Sequence, residues 1–566
     1  MQQFALWPFS TRPAGSFRGR FKRGLMWGLL CIFLVGQSPG VWALPSGVPK
    51  VVSEQNETNP EKLLKAVRKL VRQGDWQAAE TSLRQILTAD PNCHPARLEL
   101  AYLFVKQRRL SEAYDEVSFT SASDLPLARA HSIKGIALLR SGYFGLAYDE
   151  LKLALGIDRQ DDLALAAIAE VAYYENQLEQ AERLINNAIS RNHNEPDYYL
   201  LQARIASRME RFRVAADALK DFLRVTPKTD IERRDRIEGV IRFYSYLGDS
   251  HTNVVEDPKS ATIPLTIRNR RPHVKVKVNG KGPLNFVIDT GAGISVISQI
   301  TAEKLGIKPV AQGGQARAVG GQGAFPIVYG FLKSLEIGNI KITSVPVYLR
   351  EVQGPRTSTA TEATDGFLGL SVLNEFLVTL DYQAKELRME PNTRTGQSVV
   401  TQAVDPQSSI IPFRFTESGL ISIETMLDGA EKMHFIFDSG ASISVISDRA
   451  VKRLHWEDKI LTAEKIHIVG AAGVTQNVEL LQTKTVQVAD LVKQDVRLPV
   501  LDLVRLNESA GFEQHGILGG DFLYNCRVQI NFATQNLIFT PFNDAVRRVN
   551  LQTTKELEKH ETEPVP

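Results

Sequence analysis

The chain has 566 residues, of which 43% are hydrophobic and 23% are charged. This length and composition are typical of a globular protein with several domains and exclude a disordered or collagen-like chain. A formal net charge of +3 is too small over this length to indicate nucleic acid as a partner, and three cysteines cannot form a disulfide framework or a Cys-rich zinc site.

The first 43 residues predict an export signal. They contain five basic residues and no acidic residue, and an apolar run from Leu25 to Val35 follows the last basic residue. This run is too short to span a membrane as a helix. Val41 and Ala43 supply small residues for a signal peptidase, so we expect cleavage after Ala43 and an exported mature protein, periplasmic in a Gram-negative bacterium and secreted otherwise. An uncleaved membrane anchor is the alternative.

Residues 51 to 250 predict a helical region, because they contain seven glycines, whereas residues 251 to 550 contain 25 and predict strands and turns. In the helical region a large apolar residue recurs every 34 residues, and an alanine follows three positions later. The pairs are Trp76 and Ala79, Leu110 and Ala113, Phe144 and Ala147, Leu178 and Ala181, and Phe212 and Ala215. Pro91 and Pro227 lie where a proline can end a helix pair.

This pattern resembles the tetratricopeptide repeat, over about residues 60 to 227. The resemblance implies paired helices that stack into a curved solenoid, with a concave face that binds a protein partner. Residues 231 to 246 predict a capping helix, so the predicted array covers residues 60 to 246. The alternative is an array that only spaces or dimerises the rest of the chain.

Residues 247 to 262 predict a linker. After this linker a related sequence motif occurs twice. Asp-Thr-Gly-Ala at residues 289 to 292 returns as Asp-Ser-Gly-Ala at residues 438 to 441, 149 positions later. Two further elements return with it: the glycine-rich segments 319–323 and 469–473, and the apolar-Leu-Gly elements 367–369 and 517–519. We therefore predict a duplicated lobe, with copies at residues 263–395 and 410–545 and a polar tail at residues 546–566.

Each copy predicts a carboxylate fixed at the end of a strand. Asp289 and Asp438 each follow three apolar residues of a predicted buried strand, and Gly291 and Gly440 permit the tight turn that comes next. Two facing aspartates can share one proton, because like charges a few ångströms apart cannot both ionise. The ionised member can then take a proton from water while the protonated member polarises an amide carbonyl. This chemistry requires no metal, cofactor or nucleophilic side chain.

Over these two segments the chain resembles the aspartic proteases, and more closely their retropepsin-like branch. The resemblance implies a multidomain protein in which an all-α tetratricopeptide solenoid precedes two all-β lobes. It implies that Asp289 and Asp438 are the catalytic dyad. It also implies supporting roles in the active-site loops for Thr290, Gly291, Ser439 and Gly440. The same resemblance places Gly320, Gly321, Gly323, Gly470 and Gly473 in flaps that close over a bound peptide.

These motifs together predict an exported aspartic endopeptidase whose repeats recruit a protein substrate or partner. The alternative is a non-catalytic adaptor that binds polypeptide through the repeats and a protease-like cleft. Gly293 and Ser442 leave this alternative open, because the retroviral family often has a substrate-contacting acid at these positions. The lobes are expected to pair within one chain, although pairing between chains is also possible. His434 is predicted to be a residue at a strand edge.

Overall fold

The computed structural model of the protein describes residues 60–121, 127–257, 259–316, 318–321, 323–352, 363–392, 406–542 and 546–548. The predicted export signal and most of the predicted polar tail lie outside these residues. None of the helices in the described ranges is both long enough and apolar enough to cross a membrane.

The described residues between 60 and 247 form five helix pairs and one final helix. The pairs are α1 (Pro60–Gln73) with α2 (Trp76–Ala89), α3 (His94–Lys106) with α4 (Leu110–Ser121), α5 (Ala128–Arg140) with α6 (Phe144–Ile157), α7 (Asp162–Tyr174) with α8 (Leu178–Arg191), and α9 (Pro196–Arg208) with α10 (Phe212–Val225). The final helix is α11 (Ile231–Leu247), where the capping helix was predicted.

The 34-residue period marks the same point in every pair. Each recurring apolar residue is the first residue of the second helix, from Trp76 in α2 to Phe212 in α10. The alanine three positions later is fully buried in all five copies. A side chain on Gly135 in α5 would overlap Leu151 in α6, so small residues allow the paired helices to pack closely. The predicted all-α solenoid is confirmed.

The first β lobe follows the helices. Its elements are β1 (Val254–Glu256), β2 (Ala261–Pro264), β3 (Thr266–Arg268), β4 (Arg271–Val278), β5 (Lys281–Ile288), β6 (Ser295–Ser298), α12 (Gln299–Leu305), β7 (Ala311–Ala316), β8 (Phe325–Ile337), β9 (Ile340–Arg350), β10 (Gly366–Leu368), α13 (Leu370–Leu373), β11 (Phe376–Asp381) and β12 (Glu386–Pro391).

The second β lobe repeats this order. Its elements are β13 (Ser409–Pro412), β14 (Arg414–Phe415), β15 (Ile421–Leu427), β16 (Met433–Phe437), β17 (Val445–Ser447), α14 (Asp448–Arg453), β18 (Ile460–Gly470), β19 (Gly473–Val488), β20 (Leu491–Leu501), α15 (Val504–Ala510), β21 (Gly516–Leu518), α16 (Gly520–Leu523), β22 (Cys526–Asn531), β23 (Asn536–Pro541) and β24 (Arg547–Arg548).

The sheet order confirms the duplication. The first lobe has a sheet ordered β1-β9-β6-β10-β5-β4-β8-β7, with β3 beside β4. The second lobe has the corresponding sheet β14-β15-β16-β21-β17-β20-β19-β18, with β24 beside β20. In both sheets a parallel pair, β5 with β10 or β16 with β21, ends at the loop that carries the aspartate.

A third sheet joins the two lobes. Its order is β13-β23-β22-β11-β12-β2, so each lobe contributes three strands. The central pair, β11 and β22, is antiparallel and brings Val378 opposite Ile530. A single cluster of buried apolar side chains continues through both lobes and this shared sheet. The lobes therefore pair within one chain, as the simpler of the two predicted assemblies requires.

The segment predicted as a linker is partly strand. Val254–Glu256 forms β1, which pairs with β9 of the first lobe, and β2 begins at Ala261 and pairs with β12. The prediction relied on turn-forming residues and loss of helical periodicity. It missed these strands because each has only three or four residues and depends on a partner far along the chain for its hydrogen bonds.

The helical array packs directly on the β lobes. Helix α11 lies against β7, where Arg242 Nη2 donates to the Gln312 carbonyl oxygen at 2.7 Å and the Gly314 N–H donates to Asp235 Oδ2 at 2.6 Å. Phe243 of α11 stacks on Tyr329 of β8 with ring centroids 4.2 Å apart. The base of the β7–β8 hairpin is therefore attached to the array.

A second contact joins α7 and α9 to the loop after β14. Arg204 forms a buried ion pair with Glu417, at 2.6 Å between Nη2 and Oε2. The guanidinium of Arg208, only 2% exposed, lies between the rings of Tyr173 and Phe415. The lobes thus cover part of the surface of α7 and α9. Periodicity does not reveal this polar and aromatic interface.

Candidate active site

Each predicted catalytic aspartate lies at the end of a buried strand. Asp289 follows β5, and its N–H donates to the Leu368 carbonyl oxygen at 3.0 Å. Asp438 follows β16, and its N–H donates to the Leu518 carbonyl oxygen, also at 3.0 Å. The apolar-Leu-Gly elements therefore fix the backbone of both aspartates.

Thr290 and Ser439 connect the two loops through four hydrogen bonds. The Thr290 hydroxyl donates to the Phe437 carbonyl oxygen at 2.9 Å and accepts from the Ser439 N–H at 2.9 Å. The Ser439 hydroxyl donates to the Ile288 carbonyl oxygen at 2.8 Å and accepts from the Thr290 N–H at 3.2 Å. Both side chains are fully buried. This reciprocal arrangement places the two loops on either side of a pseudo-twofold axis.

Gly291 and Gly440 allow the carboxylates to meet. A side chain on Gly291 would overlap the carboxylate of Asp438, and a side chain on Gly440 would overlap that of Asp289. Each glycine N–H also donates to the aspartate of its own loop, Gly291 to Asp289 Oδ1 at 3.0 Å and Gly440 to Asp438 Oδ1 at 2.8 Å. Any residue other than glycine would therefore push the opposite carboxylate out of position.

The two carboxyl groups hydrogen-bond to each other and titrate as a pair. Burial, followed by the charge of Asp438, raises the pKa of Asp289 to about 8. Burial also raises the pKa of Asp438, while the N–H of Gly440 and the hydrogen bond from Asp289 oppose that rise. Because burial raises the pKa of both carboxyl groups, the pair can retain one proton at neutral pH while its other member is ionised.

The predicted flap glycines lie at the tips of two hairpins that contact each other. The β7–β8 hairpin carries Gly320, Gly321 and Gly323, and the β18–β19 hairpin carries Gly470 and Gly473 at its turn. The Gly321 N–H donates to Thr475 Oγ1 at 2.8 Å. The Ala472 N–H donates to the Gly320 carbonyl oxygen at 3.1 Å, and the Gly323 N–H donates to the Ala472 carbonyl oxygen at 3.2 Å. The hairpin tips thus contact each other across the cleft.

Residues 274–372 and 423–522 each match the family model described as aspartyl protease. Each β lobe thus matches the aspartyl protease family over most of its length. Each match contains one Asp-[Thr/Ser]-Gly-Ala loop and one flap hairpin, so the protease lobes were recognised correctly from sequence. A comparison with curated proteins gives no match.

Residues 70–134 match the tetratricopeptide repeat model. Several solved repeat proteins resemble the chain. A thermophilic repeat protein from Thermus thermophilus is 20% identical, with a TM-score of 0.28, and covers 32% of this chain and 98% of its own. PilF of Pseudomonas aeruginosa is 18% identical, with a TM-score of 0.24, and covers 34% of this chain and 92% of its own. The repeat assignment rests on the family match and the helix pairs.

Two histidines of the second protease lobe lie away from the dyad. His434 is in the central strand β16, not at a sheet edge as predicted, and its Nε2 lies 3.0 Å from the Gly142 carbonyl oxygen of the array. His515 Nδ1 accepts the His434 N–H at 3.3 Å, and Asp365 accepts the Asn285 N–H in the same way in the first lobe. Both histidines therefore support structure.

Two arginines near the dyad were missed by the sequence analysis. The positive charge of Arg271 lowers the pKa of both Asp289 and Asp438, against the larger effect of burial. Burial lowers the pKa of Arg350, and the charge of Asp289 opposes that shift. No motif marks either arginine, because β4 and β9 bring them to the cleft only after the sheet has formed. Among the described residues, no group of three or more His, Cys, Asp or Glu side chains could hold a metal ion.

Proposed function

We propose that this protein is an aspartic endopeptidase that hydrolyses peptide bonds with the Asp289 and Asp438 pair. The observation that supports the proposal most strongly is the pairing of the two carboxyl groups across the pseudo-twofold axis, where burial raises the pKa of both so that the pair can retain one proton. A pair in this state contains an acid and a base within reach of one peptide bond.

Each carboxyl group has a separate task in this mechanism. Ionised Asp438 accepts a proton from a water molecule, and the water oxygen forms a bond to the scissile carbonyl carbon. Protonated Asp289 donates a hydrogen bond to the carbonyl oxygen, which stabilises the charge that develops there. The C–N bond then breaks, and the proton taken from water passes to the leaving amine. The closed flaps exclude further water from the cleft.

The proposal is tested with the chain that lacks residues 1–43 and an unstructured protein as substrate. We expect cleavage by this chain, and a loss of at least about 10³-fold in Asp289→Asn and Asp438→Asn, because each change removes one member of the acid–base pair. Asp217→Asn, an exposed aspartate on α10, is the matched control. Binding of the unstructured protein without cleavage would overturn the proposal and favour the adaptor.

We also propose that the array both holds the lobes and recruits protein substrate. The first residue of α6, Phe144, packs on the second lobe, but Leu146, Leu153 and Ile157 are exposed along one face of this helix. We expect Leu146→Glu with Leu153→Glu to slow cleavage of a full-length unstructured protein while a short peptide from its cleavage site is cut at the unchanged rate. An equal change in cleavage rate for the full-length protein and the short peptide would contradict recruitment through α6.

Finally, we propose that the protein is exported through residues 1–43. The support is the basic segment followed by a short apolar run and the small residues before position 44. Amino-terminal sequencing of protein recovered outside the cytoplasm should begin at Leu44. A protein that keeps its first 43 residues would contradict cleavage and favour the anchor.

A further inference from the structure

The first protease lobe places two arginines without an acidic partner beside the cleft. Arg271 is the first residue of β4, and Arg350 is the last residue of β9. The Nε atom of each guanidinium is buried and has no hydrogen-bond partner in the described ranges. No carboxylate among those residues forms an ion pair with either arginine. The dyad is the acidic group whose charge acts on these arginines, so each guanidinium keeps donors that a further carboxylate could accept from.

The position of Arg271 is set by the β3–β4 turn. Asn269 and Arg270 both have positive φ values, 50° and 63°, and form a tight turn. The backbone of Arg270 lies so close to Gly520 that a side chain there would overlap it, and the Ala441 carbonyl oxygen borders the same space. The turn of the first lobe therefore lies against the catalytic loop of the second lobe. Arg271 follows immediately, near both aspartates.

Arg350 lies under the first flap. Its guanidinium carbon is 5.0 Å from the ring centroid of Phe325, the first residue of flap strand β8. On β9 it pairs in register with Ser298 of β6, the strand that follows the first catalytic loop. The two arginines thus lie near the dyad, one beside the catalytic loops and one beneath a flap.

The duplication supplies an internal comparison for both positions. Arg271 lies 18 residues before Asp289, and Leu420 lies 18 residues before Asp438. In the register of the sheets, Arg350 opposite Ser298 corresponds to Leu501 opposite Ser447. Leu420 and Leu501 are both buried. The pseudo-twofold axis therefore relates two arginines to two leucines, so the two halves of the cleft differ in charge.

Neither catalytic loop supplies the missing carboxylate. Gly293 and Ser442 stand four residues after Asp289 and Asp438, and neither has a carboxylate. The dyad itself has a single negative charge when Asp289 is protonated, and that charge is engaged by the hydrogen bonds of its own loop. A substrate carboxylate can accept hydrogen bonds from the two guanidinium groups, since Arg–carboxylate pairs are strong and directional.

Building on the proposed peptidase activity, we propose that the cleft selects peptides with an acidic side chain on one side of the scissile bond. The arginines bind the acidic residue. The symmetry-related half of the cleft, with buried Leu420 and Leu501 at the corresponding positions, has no such charge. The asymmetry also fixes the direction in which a peptide lies across a nearly symmetric dyad.

The test is a set of peptides that differ at one position, with Glu, Gln or Lys placed in turn at each residue near the scissile bond. At one such position we expect kcat/KM for Glu to exceed that for Gln by about tenfold or more. Arg271→Leu and Arg350→Leu, which introduce the residue of the other lobe, should bring this ratio close to one. Lys277→Leu, which removes an exposed charge from the same strand, is the control and should leave the ratio unchanged.

A second measurement separates this inference from the peptidase proposal. Binding of the Glu and Gln peptides to Asp289→Asn is followed by fluorescence anisotropy at low and high salt. Tighter binding of the Glu peptide that is lost in Arg271→Leu supports the acidic subsite, even if no peptide is cleaved. Cleavage with equal rates for Glu and Gln at every position, or equal binding of both peptides, overturns the subsite and leaves the peptidase proposal standing.

Discussion

At the scale of single residues, the dyad depends on two buried hydroxyl groups. Thr290 and Ser439 each donate to a carbonyl oxygen of the opposite strand and accept an N–H of the opposite loop. Because both side chains are fully buried, the loss of either hydroxyl leaves a buried donor and acceptor without partners. The relative position of the two carboxylates is therefore coupled to the stability of the lobe interface.

Replacement of Thr290 tests this coupling. Thr290→Val keeps the shape of the side chain but leaves the Phe437 carbonyl oxygen and the Ser439 N–H unpaired, so we expect the free energy of unfolding to fall by about 1 to 3 kcal/mol. Urea unfolding measures this change. Thr290→Ser should restore most of the loss, and Thr343→Val, at an exposed hydroxyl, should cost less than about 0.5 kcal/mol. Equal losses at positions 290 and 343 would contradict the role of the hydroxyl.

The pH dependence of cleavage follows from the shared proton. In a plot of kcat/KM against pH, the alkaline limb should lie near pH 8. The pKa of Asp289 is raised to about 8, and above this pH the pair loses the proton that makes one member an acid. The acid limb should lie above the ordinary aspartate pKa of 3.8, because the pKa of Asp438 is also raised and its protonation removes the base. A stopped assay across the pH range measures both limbs. A rate that does not fall as the pH rises beyond 8 would contradict this assignment.

The residues of the dyad could be predicted from sequence because a short local motif determines them. The Asp-[Thr/Ser]-Gly-Ala loop needs its aspartate, hydroxyl and glycine within three positions, so all four supporting residues were identified. Arg271 and Arg350 could not be predicted, since their position depends on the β3–β4 turn and on the parallel pairing of β6 with β9.

At the scale of elements, the two flaps form one closed cover. The tips of the β7–β8 and β18–β19 hairpins hydrogen-bond to each other through Gly321, Thr475 and Ala472. The first hairpin is attached to α11 at its base, whereas the second hairpin has mostly exposed residues in β18. We therefore expect the second flap to move more when a peptide enters.

Gly321 tests the importance of the closed flaps. It has φ of +104°, and a methyl group there would overlap the Ala472 carbonyl. We expect Gly321→Ala to lower kcat/KM on a short peptide about tenfold or more, because the flap tips separate. Gly280→Ala is the control, because this glycine has φ of +76° in a turn where a methyl group meets no atom. Similar activity losses in both variants would mean that backbone strain, and not flap contact, causes the effect.

Sequence periodicity is sufficient to locate the helices of the array but not the short strands that follow them. The 34-residue period located the start of each second helix, because the buried alanines repeat with it. The strands β1 and β2 were missed, because short strands have too few residues for an alternating pattern. Their pairing with β9 and β12 provides the hydrogen bonds that the local sequence cannot.

At the scale of the whole molecule, the array and the protease lobes form one packed unit. The Arg204–Glu417 ion pair is buried, with side chains 8% and 12% exposed. Arg208 and the aromatic residues around it extend this contact. Removing one member of a buried pair leaves the other without a counter-charge, so the interface should contribute strongly to the stability of both parts.

A double-mutant cycle on Arg204 and Glu417 measures this contribution. Arg204→Met or Glu417→Leu alone should lower the free energy of unfolding by about 3 to 5 kcal/mol. The double variant should lose less than the sum, because neither charge is then left unpaired. The same cycle on the exposed pair Arg213 and Asp249 should give a coupling below about 1 kcal/mol. Additive losses at Arg204 and Glu417 would contradict a stabilising contact.

The central claim is that one chain builds one complete dyad from its two lobes. It is tested most directly by mixing Asp289→Asn with Asp438→Asn, each inactive alone, under conditions in which they can unfold and refold together. Because β11 and β22 join the lobes within one chain, every refolded molecule has one substituted aspartate, and we predict that the mixture stays inactive. Recovery of about a quarter or more of the wild-type rate would contradict this account, because it would require lobes from different chains to form the active site.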